Sequence, residues 1–270
     1  MHKVSPAQVV YASIMAALGV SALLHGTFPA VWTPALAHVP AQTLIAYTSA
    51  TIALVCGLGL LWPRLATHAA RLLFAWSLIV FLTMRLPIAF LAPRDIGSWY
   101  DVCEMAVVLA GAWALYVRHA GAGDRQRAGI VADDRGLHIA RILFALSLVL
   151  FGTGHFVFLD GTASLVPAYL PWPHGWVVFT ACAFFAAAVG IVTGVCARLG
   201  TILSAVQMAL LALLVYVPKV FHHTASPFQV NELVVSIALA ASAWVLAESY
   251  SHSRTRQMSW RRLDSLRQVT

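Results

Sequence analysis

Eight runs of apolar residues, at about 8–25, 42–62, 69–91, 97–117, 139–158, 175–196, 200–218 and 231–249, leave this chain few folds to choose from. A helix needs about 20 apolar residues to cross a bilayer core. Inside lipid every backbone polar group must be satisfied within the segment, which favours helices. The composition agrees: 60% of residues are hydrophobic and 10% charged, with a mean hydropathy of +0.81. The expected fold is all-α, a polytopic membrane protein with eight transmembrane helices. Arg85 interrupts the third run.

The runs read as one plan written twice. Pro40-x16-Gly57 is answered by Pro173-x16-Gly190, and the basic turn Arg64–Thr67 by Arg198–Thr201. Polar residues repeat too, with His25, Arg85 and Glu104 in the first half and His155, Lys219 and Glu232 in the second. Between the halves lies a stretch rich in Gly and charge, which reads as a linker. Four spans is an even number, so both halves enter the membrane in the same direction and form two parallel four-helix repeats. The expected division is 1–118, first repeat; 119–138, cytoplasmic linker; 139–250, second repeat; 251–270, basic cytoplasmic tail.

Orientation follows from Lys and Arg. With both termini in the cytoplasm, all but Arg85, Arg94 and Lys219 of the 17 basic residues lie inside, as the positive-inside rule asks. The expected location is the cell inner membrane, with the lipid bilayer as partner. Topology accounts for the net charge of +7 without nucleic acid as a partner. Ala35-Leu-Ala37 resembles a signal-peptidase site. It lies well beyond the first run, whose counterpart 139–158 is internal, so the first run reads as a true span. Two proline-rich outer loops, Gly26–Pro40 and Leu165–Trp176, are expected to lie as lids over the two units. The four cysteines form no C-x-x-C pair, which argues against thioredoxin-like chemistry, and all read as small buried hydrophobes.

Candidate chemistry gathers at the outer ends of the spans. His25 and His155 close spans one and five, where a histidine can handle protons near neutral pH or simply bond loop carbonyls. Glu104 and Glu232 lie in the outer parts of spans four and eight. A carboxylate in hydrocarbon costs about 2.5–3.5 kcal/mol on insertion scales and calls for a partner. The expected partners are Arg85 for Glu104 and Lys219 for Glu232, either as structural ion pairs or as part of a site. His222 and His223 enrich the second half, but neighbours on a helix point apart and do not readily share a metal ion. A haem between His25 and His155 is conceivable only if the two face each other across the repeat axis.

The second half resembles the DoxX-like family of four-helix membrane proteins. The likeness rests on Phe151-Gly-Thr-Gly-His155-Phe, Leu165-Val-Pro-Ala-Tyr-Leu-Pro171 and Gly190–Gly194 leading to Ala197-Arg198. The first half keeps His25, Pro34, Gly57 and Pro63-Arg64 of the same outline. The resemblance implies a tandem, eight-span member with a redox or quinone-linked role. The expected function is thus a quinone-linked oxidoreductase subunit taking electrons from a redox partner protein. His155, Lys219 and Glu232 would be its catalytic residues, with His25, Arg85, Glu104, His222 and His223 as ligand-binding residues or a second copy. The alternative is a non-enzymatic carrier or structural partner that binds lipid or a small apolar molecule.

Overall fold

The computed structural model describes residues 4–34 and 40–267, with side chains as far as Ser251; Ala35-Leu-Ala37 lies outside the described residues. Its eight long helices are α1 (Pro6–His25), α2 (Gln42–Leu61), α3 (Ala66–Leu91), α4 (Ile96–His119), α5 (Asp134–Val157), α6 (Pro173–Thr193), α7 (Ala197–Phe221) and α8 (Pro227–Arg267). All eight are long and apolar enough to cross a membrane, as the sequence predicts. Among the described residues there is no strand. α8 has 41 residues, about 60 Å of helix, roughly twice the thickness of a bilayer core.

Hydrogen bonds fix which ends share a face. Arg118 at the end of α4 donates to Ser5, which caps α1 (2.7 Å), and to Glu248 on α8 (3.3 Å). Arg141 near the start of α5 donates to Ser249. The starts of α1 and α5 and the ends of α4 and α8 therefore meet at one face, here the terminal face; the opposite one is the loop face. The two halves run in parallel, as expected. The linker is more ordered than its composition suggests. It forms a short helix, Ala122–Ala128, and a 3-10 turn, Gly129–Ala132, and α5 starts at Asp134. Asp124 is buried in an ion pair with Arg71, and the Trp113 indole donates to Val131 O (2.8 Å).

Packing shows where the axis of the repeat lies. Along the chain each helix packs on the next, and α8 also packs on α1 and α4. α4 is the centre: 78% of its apolar window is buried, against 28% for α7. Gly111 of α4 meets Ser242 of α8, so that a Cβ at Gly111 would stand 2.9 Å from the serine Cβ. Such close approach of backbones is what small residues permit in a membrane.

Gly111 and Ser242 are counterparts, because a constant offset relates the helix pair α3–α4 to α7–α8. α3 widens to a π-turn at Phe81–Arg85 and α7 at Ala212–Tyr216, each followed by a proline, Pro87 or Pro218. The cause is shared. A proline has no N–H, and its ring clashes with the carbonyl four residues back, so the ladder upstream shifts to wider bonds. Leu86 N thus bonds Phe81 O, and Val217 N bonds Ala212 O.

This register corrects the one read from matching letters. Arg85 corresponds to Tyr216 and not to Lys219, and Glu232 to Asp101 and not to Glu104. Pro173 opens α6 as Gln42 opens α2, so Pro40 is not its counterpart, and Arg198 answers Thr67. In α1, Gly19 packs against Ala50 and Leu54 of α2; in α5, Gly152 packs against Ala181 and Phe185 of α6. Aligning these glycines matches the buried series Tyr11, Ala12, Met15, Leu18 with Phe144, Ala145, Leu148, Phe151. His155 then corresponds to Ala22, so the two histidines are not equivalent and do not face each other across the axis.

Candidate functional site

Ionisable side chains do gather in the loop-face half of the membrane, around α3, α4, α7 and α8. The Arg85 guanidinium, 7% exposed, reaches Asp101 on α4 at 3.3 Å. Asp101, absent from the sequence-based set, is therefore its partner in place of Glu104. Glu104 lies one turn deeper on α4, half-buried, within electrostatic range of Glu232, Asp101 and Arg85. Glu232 enters from α8, also half-buried, with Asp101 acting on it. Among the described residues no ion pair joins Lys219 to Glu232. Lys219 lies nearly a turn beyond Tyr216, and it is Tyr216 that holds the position equivalent to Arg85. The Tyr100 and Tyr216 phenols each lie within range of both glutamates. Asp95 fixes the start of α4, accepting from Gly97 N, Ser98 N and Ser98 Oγ. The Ser98 bonds, then Gly97 N, hold its carboxyl below the usual range.

The charges do not balance. Glu232 lies within range of Asp101 and Glu104, while the Arg85 guanidinium acts on Asp101 and Glu104 and is already engaged with Asp101. Among the described residues neither glutamate has a hydrogen bond or ion pair. Two buried donors also lack acceptors, Arg85 Nε and Trp32 Nε1. Trp32 belongs to a short turn, Ala30–Trp32, which packs on α4 and α8 and buries the indole completely. Among the described residues of the first loop, this turn covers the central pair. On the other side, a short helix before the second loop, Leu159–Ala163, packs on α6; Tyr169 and Trp172 of the loop are exposed, and His174 meets Asp160 at 3.0 Å. The loop's aromatics suit the headgroup level.

The remaining candidates lie apart. His25 is exposed and bonds its own helix at Ser21 O (2.8 Å). His155 is buried, bonds Phe151 O (2.8 Å) and sets its ring edge-on to Phe184 of α6. Phe151 in turn packs on Tyr100, so His155 reaches the cluster only through that aromatic contact. His222 and His223 are exposed in the turn after α7, with His223 at φ 54°. Among the described residues no three His, Cys, Asp or Glu side chains gather in a group fit to hold a metal ion. Cys56 and Cys103 are buried, but Cys182 and Cys196 are exposed, against the expectation for all four.

A cavity of about 820 Å³ lies at the other end, on the terminal face of the second half, between the starts of α5 and α7 and the ends of α6 and α8. The outer pocket expected from the sequence does not coincide with it. No family model, curated protein or solved structure matches this chain.

Proposed function

We propose that this integral membrane protein handles protons at the Glu104–Glu232 pair, beneath the Trp32 lid, in contact with the polar head of a membrane-soluble molecule. The observation that carries this reading is the charge imbalance. Two glutamates without a partner sit beside Asp101, which already holds the guanidinium of Arg85, and an uncompensated charge in a low-dielectric setting is costly. A proton held between Glu104 and Glu232 removes that cost. Tyr100 and Tyr216, near both acids, supply hydroxyls to pass it on.

Quinone is the class that the DoxX-like resemblance implies for the bound molecule. The unsatisfied donors Trp32 Nε1 and Arg85 Nε suit its carbonyl oxygens, and the glutamates suit proton exchange with it. Electrons would come from a partner protein. His155 then acts at a distance, by seating Phe151 and Tyr100, and Lys219 is outside the site. The distribution of Lys and Arg supports a cytoplasmic terminal face in a cell inner membrane.

The test is infrared spectroscopy of the purified protein at neutral pH, with solvent extraction and mass spectrometry for quinone. A protonated-carboxyl band that vanishes in Glu232→Gln or Glu104→Gln is the expected result; a spectrum without it refutes the proton site. Near-stoichiometric quinone, lost in Glu232→Gln, identifies the molecule. Bulk lipid alone favours the carrier or structural reading, for which the terminal-face cavity is the supporting observation.

A further inference from the structure

That cavity has a closed counterpart in the first half, and the differences between the two ends are chemical. In the first half Gln8 is fully buried and donates to Leu60 O (2.7 Å), while its Oε1 meets His119 Nε2 (3.1 Å). Thr67 donates to His119 O (3.3 Å), and the Arg71–Asp124 ion pair draws the linker across the opening. In the second half the place of Gln8 is taken by Arg141, that of His119 by Tyr250 and that of Thr67 by Arg198. Arg141 does not plug the end. It turns to α8, donating to Ser249 Oγ (3.2 and 2.9 Å) and stacking 3.8 Å over the Tyr250 ring. The space beside it stays open.

Three features give this space one sign of charge. Arg141, Arg198 and His138 line it, and no Asp or Glu is among its described lining residues. Asp134 lies within range of Arg141 but does not line the cavity. α7 also begins there, behind Cys196 in the left-handed region, and no side chain caps its first N–H groups. A helix start of this kind adds partial positive charge. Arg141, held flat by Tyr250 and Ser249, is preorganised for a planar or tetrahedral oxyanion. The remaining wall is largely apolar, with the side chains of Leu199 and Ile202 exposed. A group that is anionic at one end and greasy at the other suits both walls.

We propose that the cavity is a phosphate-binding site, in which a phosphate group lies between Arg141 and Arg198 at the start of α7. Its source is either the headgroup of an anionic lipid, with chains along Leu199 and Ile202, or a free phosphate. The site is independent of the proton site at the loop face.

The test uses the full chain in nanodiscs of phosphatidylcholine with graded phosphatidylglycerol, and native mass spectrometry to count retained lipid. The wild type is expected to keep one phosphatidylglycerol in preference to phosphatidylcholine. Arg198→Gln, at an exposed position, leaves the fold intact and weakens retention about tenfold, as loss of one charge-assisted bond implies. Arg135→Gln, on the same face but outside the cavity, leaves it unchanged. Retention that inorganic phosphate does not displace assigns the site to lipid. Displacement by inorganic phosphate, lost in Arg198→Gln, assigns it to free phosphate. Binding of neither phosphatidylglycerol nor inorganic phosphate, or equal binding by wild type and Arg198→Gln, overturns the proposal.

Discussion

The two halves share a backbone plan and differ in what they do with charge. In the first, the π-turn of α3 ends on Arg85, which closes an ion pair with Asp101. In the second, the matching π-turn of α7 ends on Tyr216, opposite Glu232, and no cation takes the place of Arg85. At the terminal face the contrast repeats: Gln8 and the linker seal one end, while Arg141 leaves the other open. Among the described residues each half thus keeps one glutamate without a hydrogen bond or ion pair, Glu104 in the first and Glu232 in the second, but only the first places a guanidinium beside its carboxylates and closes its terminal end.

The sharpest way to break this comparison is at the axis. Gly111→Leu forces a branched side chain into Ser242 and its backbone. We expect a loss of about 3 kcal/mol or more and little monodisperse protein by size-exclusion chromatography. Next, Arg85→Gln strips a buried guanidinium from Asp101. Because Asp101 is half-exposed, we expect about 2 kcal/mol, below the range for fully buried pairs. Tyr216→Phe at the equivalent position should cost about 1 kcal/mol or less. Equal effects in thermal unfolding would erase the difference between the halves. Glu104→Gln mimics the neutral form that a shared proton gives this carboxyl, so it should shift stability at neutral pH by no more than about 1 kcal/mol; a larger fall would mean that the charged form has a partner. Smallest is His25→Ala, within about 0.5 kcal/mol as an exposed change. His155→Ala, at a buried ring, should cost about 2 kcal/mol by the same unfolding measurement.

The spans and the parallel arrangement were legible in the sequence because both rest on properties averaged over many residues: apolar runs and the placement of Lys and Arg. The register was not, because it depends on single letters that coincide by chance. His25 and His155 look alike on the page, yet one is the exposed last residue of its helix and the other is buried further back along its own. The readable signal was the distance from proline to carboxylate. Pro87 stands as far from Asp101 as Pro218 does from Glu232, and that spacing would have named Asp101. The unpaired state of the glutamates was not legible. For Glu104 it turns on Asp101 taking Arg85, and for Glu232 on Lys219 standing nearly a turn beyond Tyr216.

The interlocking of the halves has a consequence for the order of assembly. α5 packs on α4 from the other half, and α1 packs on α8. Synthesised from the N-terminus, α1 is made well before α8 and waits for that neighbour until α8 follows it into the membrane. Glu248, which accepts from Ala7 N and Arg118, is then the clasp that arrives last. Neither half is a finished object before the whole chain has been inserted, so a ribosome that stops after the linker leaves behind an open half-ring and not a smaller working protein.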